Sequence, residues 1–499
     1  MMFSGFARIT ALACAAALLA TAQGCGGDAV TALEEPVERV YTVETNAQAL
    51  QAWAAAGADA DVLVHIDASE DMRVFPPSLA ETMRNAADHL ERGNAAVVDR
   101  VASILESGGT VNLGLDAGFY DRVAWVVPSP EPVSETPLSN FRRVLIEKRG
   151  YTPQALSELA AEGRAITGTI AGVPVTVTSL EDLEAGEEIA VLDIDLTWFV
   201  GLQSRDPDHR PGTGAVLDFL RALKRKRIKV ETVTINAAST GGVVPMDIRF
   251  YAEVIRDALV RPGILDGGLP ALYVKMIEAE EALVRGEYSA AEGIYEELVA
   301  GHGDRAGLWF SLAVSRGFQG KGEESREALL EAYSLDGAYM RGFFQLARVL
   351  GSSGQVEAGR ALLETPDLAK IIPEEELDYQ KGVFFFAAGD YFEAVDYLEA
   401  VARRRPDDFA LRTIIFRAYE EIGDDMKMSS TLEALLRLDA GRVDRDMPWV
   451  YKRLGDLVAA RDLSARAAEL YEHYIELYPE DEEAERLKEY IERWGSPGR

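Results

Sequence analysis

The chain divides into a three-layer α/β domain on a parallel sheet and, after it, an all-α superhelix of stacked helix pairs. Three observations predict this. Up to residue 262, β-branched runs alternate with amphipathic helical stretches, the pattern of βαβ units. From Gly268 onward the β-branched runs vanish and amphipathic stretches follow one another. There a glycine recurs at Gly286, Gly320, Gly354, Gly389 and Gly423, at spacings of 34, 34, 35 and 34 residues. A period of that length belongs to stacked two-helix units.

The 499 residues leave room for two or three domains, and 48% hydrophobic with 27% charged residues is ordinary for a folded chain. The net charge of −32 repels nucleic-acid phosphates and anionic lipid surfaces alike, which excludes both as partners of the folded body. The compact basic run Lys224-Arg225-Lys226-Arg227 lies between an amphipathic stretch and a strand. It suits a solvated helix C-terminus, where cations oppose the dipole.

Both cysteines, Cys14 and Cys25, fall near the N-terminus, so no disulfide framework exists. One basic residue, Arg8, precedes an apolar run from Ile9 to Ala22. That run is too short for a permanent bilayer span and fits a signal peptide over residues 1–24. The following Ala22-Gln23-Gly24-Cys25 resembles a bacterial lipobox. The resemblance implies a lipid on Cys25, anchoring the chain in the cell envelope on the periplasmic or exterior side, with that lipid as its only membrane contact. Ordinary cleavage after Ala20-Thr21-Ala22 is the alternative. Residues 25–38, with Glu34, Glu35 and Glu38, are expected as a tether.

Within 39–262, strands are expected at 39–43, 62–67, 111–115, 122–127, 189–195 and 228–235. Helices are expected at 46–56, 79–106, 138–149, 153–162, 213–226 and 246–260, with a β-hairpin at 165–178. Loops rich in Pro and Gly fall at 128–137, 204–214 and 237–245, the last holding Ser239, Thr240, Gly241 and Gly242, read as a plain loop.

Two acidic strings end two of these strands: His65-Ile66-Asp67-Ala68-Ser69-Glu70-Asp71 after Val62-Leu63-Val64, and Leu192-Asp193-Ile194-Asp195-Leu196 after Ile189-Ala190-Val191. Carboxylates at the C-terminal ends of parallel strands stand where open α/β sheets bind ligands. Four of them together repel strongly unless a cation sits between them. A strand-end Asp also serves as a cap or turn residue, which is the structural alternative. His65, on the strand itself, is expected to be packed rather than a ligand.

The strings, with Val40-Tyr41-Thr42-Val43 and Ala49-Leu50-Gln51-Ala52-Trp53 upstream and Val123-Ala124-Trp125-Val126-Val127-Pro128 between them, resemble the arginase and agmatinase family, most closely an uncharacterised branch of it. The resemblance spans residues 39–262. It implies an arginase-like fold with a metal centre of two imidazoles and four carboxylates. The carboxylate positions are Asp67, Asp71, Asp193 and Asp195, and the two imidazole positions hold Asn46 and Ser69. That oxygen set suits at most one hard ion, Mn, Mg or Ca, on Asp67, Asp71, Asp193 and Asp195 with Asn46.

In the second half, Gly382, Phe385, Gly389, Tyr391, Ala394, Leu398 and Pro406 form one unit, and Tyr451, Leu454, Gly455, Ala467, Tyr471 and Pro479 another; Trp309, Leu312, Ala313, Gly320 and Ala332 form a weaker one. These units resemble tetratricopeptide (TPR) repeats. About six are expected over 270–481, with 482–494 (Leu487, Tyr490, Ile491, Trp494) as a capping helix. The resemblance implies a concave face bearing Phe310, Arg341, Phe344, Arg348, Tyr379, Val383, Phe386 and Arg417, which binds a protein or peptide partner. Its arginines would take an acidic segment or a C-terminal carboxylate, or else pair with neighbouring Glu.

Two functions follow. The first is a cell-envelope lipoprotein acting as a protein-interaction module, with the arginase-like domain non-catalytic or weakly catalytic, or else purely structural with Asp67 and Asp193 acting as caps. The second is a metal-dependent hydrolase of a guanidino or amide C–N bond, with Glu70 or Glu44 as general base and the repeats selecting substrate. No catalytic residue is assigned beyond these.

Overall fold

A computed structural model of the chain describes residues 29–56, 60–69, 71–72, 109–129, 135–149, 151–184, 186–205, 212–238 and 244–494. The segment expected as a signal peptide, with Cys14 and Cys25 near it, Glu70, the helix expected at 79–106 and residues 239–242 lie outside the described residues. Contacts group the chain into two compact units, one of residues up to 315 with 328–342, the other of 316–327 with 343 onward. No helix among the described residues is long and apolar enough to cross a membrane.

The first unit is built on one nine-stranded sheet: β1 (Val30–Thr31), β2 (Arg39–Val43), β3 (Val62–Ile66), β4 (Arg122–Val126), β5 (Ala160–Glu162), β6 (Ala165–Ile170), β7 (Val173–Thr178), β8 (Ile189–Asp195) and β9 (Lys229–Asn236). Six strands in the spatial order β2-β9-β8-β3-β4-β7 are parallel throughout. The sheet as a whole is mixed rather than purely parallel. The β6–β7 hairpin, expected at 165–178, continues it antiparallel to β5, and its two-residue turn at Ala171 and Gly172 has both φ positive. At the other edge β1 pairs antiparallel with β9, and Leu33 and Val37 are buried. The segment expected as a tether thus contributes the short strand β1 and buries Leu33 and Val37.

Alternate residues face opposite sides of the sheet. On one side Val43, Leu63, Val123, Trp125, Val175, Val177 and Val191 form a core with Leu50 and Trp53 of the helix Asn46–Ala56. On the other, Thr42 faces Ala252 and Glu253 of the helix Tyr251–Val260. The unit thus has three layers.

Two expected elements differ. Residues 111–115, expected as a strand, lie in the helix Thr110–Asp116, which buries Val111 and Leu113 in the same core. A short apolar run has no period of its own strong enough to decide; here packing decides. Gly114 leaves room for Tyr120, whose hydroxyl would stand 2.5 Å from a Cβ there and donates to the Val111 carbonyl at 2.7 Å. The helix expected at 153–162 is a single 3₁₀ turn, Gln154–Leu156, followed by β5. The edge of the hairpin captures that segment before a helix can extend.

Among the described residues of 271–477, helices follow in six pairs: Ala271–Val284 with Tyr288–Gly301, Ala306–Phe318 with Gly322–Leu335, Met340–Ser352 with Val356–Leu363, Glu374–Ala387 with Tyr391–Arg404, Phe409–Ile422 with Asp425–Asp446, which is broken by a kink at Asp439, and Trp449–Ala459 with Ser464–Leu477; the short helix Pro366–Ile371 lies between the third and fourth pairs. The helix Ala484–Trp494 follows. The periodic glycines have one task. Each sits at φ between 75° and 87° just after the first helix of a pair, and Asp462 takes that place, at φ 60°, in the sixth. The next amide then reaches back five residues: Glu287 to Ala282, Lys321 to Arg316, Gln355 to Leu350, Asp390 to Phe385, Asp424 to Tyr419 and Leu463 to Val458. This is the Schellman closure that a left-handed residue permits.

Glycines inside the helices let the pairs close: a Cβ at Gly382 would stand 2.6 Å from Leu398 Cγ. Gly382→Ala is expected to destabilise the second unit by roughly 1–3 kcal/mol through overpacking, measured by urea denaturation.

Glu280 of the first repeat helix accepts the Thr213 amide (2.7 Å) and hydroxyl (2.5 Å) at the start of the helix Thr213–Lys224. Burial pushes its carboxyl up to about 7 despite both hydrogen bonds. The folded state therefore holds a proton that the unfolded chain has released, in the window between the ordinary value of 4.5 and about 7. Stability should fall as pH rises through that window, by on the order of 1–3 kcal/mol. Thermal melts across it should show a shallower slope for Glu280→Gln.

Candidate functional site

The register of the parallel strands assembles the rim. His65 of β3 stands beside Asp193 of β8, and Asp193 beside Thr234 of β9. One step further along, Asp195 lies beside Asn236. With a period of two, His65 and Asp67 share a face with Asp193, Asp195, Thr234 and Asn236. On that face Leu63 and Val191 come first and the charged groups follow, so the apolar core gives way to ions at the C-terminal edge.

Asp67, Asp193, Asp195 and His65 are all buried. His65 Nδ1 lies 2.9 Å from Asp193 Oδ2, while its Nε2 lies 3.2 Å from the Ser69 carbonyl and 3.4 Å from Asp67 Oδ2. Burial disfavours the imidazolium, but the hydrogen bonds and charges of Asp193 and Asp67 overcome it and hold His65 well above its ordinary value. Burial likewise opposes ionised Asp67; His65, with Thr197 and Ser69, reverses this and keeps its carboxyl below the usual range. Asp195 goes the other way. Burial and the Asp67 charge push it well up, only partly offset by Thr197.

Asp67 accepts from the Ser69 amide (3.0 Å), the Ser69 hydroxyl (3.0 Å) and the Thr197 hydroxyl (2.6 Å). The Ser69 hydroxyl also lies 3.2 Å from Asp71 Oδ1. Asp71, at φ 46°, turns the chain so that its carboxylate faces back toward Asn46, whose Nδ2 donates to Oδ2 at 3.3 Å. Asn46 Oδ1 accepts from Asn236 at 3.4 Å. Thr234 donates to Asp193 (2.5 Å) and accepts from the Trp53 indole (3.0 Å). Trp125 donates to the Asp67 carbonyl at 3.0 Å.

All five residues expected as ligands, Asn46, Asp67, Asp71, Asp193 and Asp195, therefore gather at one rim, with Ser69 between them. Ligand atoms of His65, Asp67 and Asp71 lie within 4.8 Å of one another. His65 is not simply packed: both its nitrogens are committed to the carboxylates. The other donors at the rim are oxygens and an amide: Asn46 donates to Asp71, and the Ser69 hydroxyl lies within hydrogen-bond distance of both Asp67 and Asp71. Glu44, expected as a candidate general base, is held instead by Arg249. Thr197, Thr234 and Asn236 were not expected at the rim, although the alternation Thr232-Val233-Thr234-Ile235-Asn236 carries the signal for the last two.

The candidate partner face is corrected in part. Phe344 and Phe310 are buried, Phe310 against Tyr339, because Gly342 opens the space that the Phe310 ring fills. They belong to the core. Arg341 lies in the first unit and the others in the second. There Arg348 is exposed, Tyr379, Val383 and Phe386 are half-buried, and Arg417 is exposed, 3.7 Å from Glu420 and 5.6 Å from the Trp449 ring.

No family model and no curated protein matches the chain. Among solved structures it is similar to the C-terminal part of a TPR repeat-containing protein from Cytophaga hutchinsonii (18% identity over 44% of this chain and 86% of that one, TM-score 0.29). It is also similar to PilW, a type IV pilus biogenesis factor (14% identity, 44% and 100%, TM-score 0.26), and to YrrB, a TPR protein with an unusual peptide-binding site (13% identity, 43% and 90%, TM-score 0.21). At these TM-scores the repeat architecture rests on the chain's own helix pairs and period.

Removing His65 leaves Asp67 and Asp193 buried without their cation. His65→Ala is expected to destabilise the first unit by roughly 3–5 kcal/mol, and adding Asp193→Asn to recover part of it, both read by urea denaturation.

Proposed function

We propose that the chain is a protein-interaction module of the cell envelope, lipid-anchored at Cys25. Its helix pairs recruit a protein or peptide partner, and its sheet unit is an arginase-like frame that binds at most one hard divalent ion. The observation that carries the reading of the sheet unit is the gathering of Asn46, Asp67, Ser69, Asp71, Asp193 and Asp195 at one rim, with the Ser69 hydroxyl 3.0 Å from Asp67 and 3.2 Å from Asp71. A hydroxyl and an amide there hold carboxylates in place without supplying the nitrogen ligands of a two-ion hydroxide generator. The reading of the repeats rests on the six pairs and on the mixed aromatic and arginine surface of Arg348, Tyr379, Phe386 and Arg417.

The test of the rim is thermal stability of the purified chain with Mn, Mg and Ca. An ion that binds only the folded state at about a hundred times its dissociation constant adds about 2.7 kcal/mol. A shift with at least one ion, absent in Asp71→Asn, is expected; no shift with any of the three would leave the rim a purely structural lattice. Turnover of a guanidino or amide compound would overturn the non-catalytic reading. For the repeats, a peptide ending in acidic residues and a free carboxylate should bind roughly tenfold more weakly to Arg348→Ala, measured by fluorescence anisotropy.

A further inference from the structure

On the sheet face opposite the carboxylate rim, the first unit has an open pocket of about 430 Å³. That volume lies within the range of small-molecule sites. Thr42 of β2 lines it, with Glu253 and Arg256 of the helix Tyr251–Val260, Arg305 just ahead of the helix Ala306–Phe318, and Asp336 and Tyr339 beyond.

Most of the wall charge is already matched. Arg249 forks onto Asp336, at 2.9 Å from Nε and 2.8 Å from Nη2, and also holds Glu44 and the Ala237 carbonyl. Arg305 is bonded to Asp257, which also takes Arg261 and the Tyr273 hydroxyl. Two polar groups lack a close charge or hydrogen-bond match: the partly exposed Glu253 carboxylate and the buried Tyr339 hydroxyl. Glu253 accepts one amide, Gly307 N at 3.1 Å, and its nearest cation, Arg305 Nη1, is 4.0 Å away. The Tyr339 hydroxyl is buried and has no hydrogen-bond partner among the described residues. Both flank Gly307: its amide holds Glu253, and a Cβ on it would stand 3.3 Å from Tyr339 Oη. A buried acceptor without a partner carries a desolvation penalty that a ligand donor relieves. The lining also carries four carboxylates against three guanidinium groups, so the interior favours a positive guest.

We propose that this cavity binds a small organic cation carrying N–H donors, with the Glu253 carboxylate as its charge partner and the Tyr339 hydroxyl as a second acceptor. Neither residue belongs to the carboxylate rim, and the site is independent of any ion bound there. Glu253 is pushed up to about 7, by burial first and then by the charges of Asp336 and Asp257, against the Gly307 amide and Arg305. Its other charged or titratable neighbours are Arg256 on its own helix, Asp304 before the next, and Arg249 and Tyr339. A bound cation needs Glu253 ionised, so affinity rises with pH through neutrality and levels off above it.

Titration calorimetry of the full chain tests this, with n-butylammonium as probe and tetramethylammonium, which has no N–H, as control. Saturable binding of n-butylammonium is expected, roughly five- to tenfold tighter at about pH 8 than at about pH 6. It should be lost in Glu253→Gln, a near-isosteric substitution at a partly exposed position that keeps the fold, weakened in Tyr339→Phe, and unchanged in Asp71→Asn. No binding up to about 10 mM, equal binding of tetramethylammonium, equal binding by Glu253→Gln, or a flat pH profile would each overturn the proposal.

Discussion

Four carboxylates at the ends of two neighbouring strands repel one another, and the His65 imidazole holds two of them, Asp67 and Asp193, against that repulsion. Its two nitrogens divide the work between strands. Nδ1 holds Asp193 of β8, and Nε2 faces Asp67 and the Ser69 carbonyl at the end of β3. The arrangement depends on parallel register, which sets His65 level with Asp193. The neighbouring polar groups complete it: Thr197 and Ser69 on Asp67, and Trp53 through Thr234 on Asp193. A buried ion pair of this kind adds little net stability over an apolar core, but removing one partner is severe. The rim is thereby locked into one geometry.

The same logic recurs on the other face. Arg249 is buried with Glu44, Asp336 and the Ala237 carbonyl around it. Glu44 lies two residues before Asn46, and Ala237 follows Asn236. The backbone that carries part of the rim is thus anchored from below by a second buried cation. In so acidic a chain, the deeply buried basic groups act as centres around which carboxylates are arranged.

The repeat region is held by different means. Its regularity comes from backbone conformation, a left-handed residue closing the first helix of every pair, and from close approach at Gly382, Gly455 and Gly359, where neighbouring Leu398, Tyr471 and Phe384 fill the space a side chain would need. Ion pairs between helices, such as Arg405 with Glu375 and Glu376, add to it, but the regularity itself is local, which is why a glycine period announces it.

The alternation of strand and helix, the two acidic strand ends and the glycine period were all legible in the chain, because each reflects a local rule: a pleat of period two, a helix of period 3.6, and the freedom of glycine at positive φ. The helix at Thr110–Asp116, the role of His65, the capture of Glu44 by Arg249 and the burial of Phe344 were not. The two charge pairings turn on partners distant in sequence: His65 and Asp193 are 128 residues apart, Glu44 and Arg249 205. By itself the sequence determined the backbone of the long periodic segments and the two acidic strand ends that reach the sheet edge. Only the tertiary structure decided which charges neutralise which, because that depends on through-space distance and on water having been excluded between them.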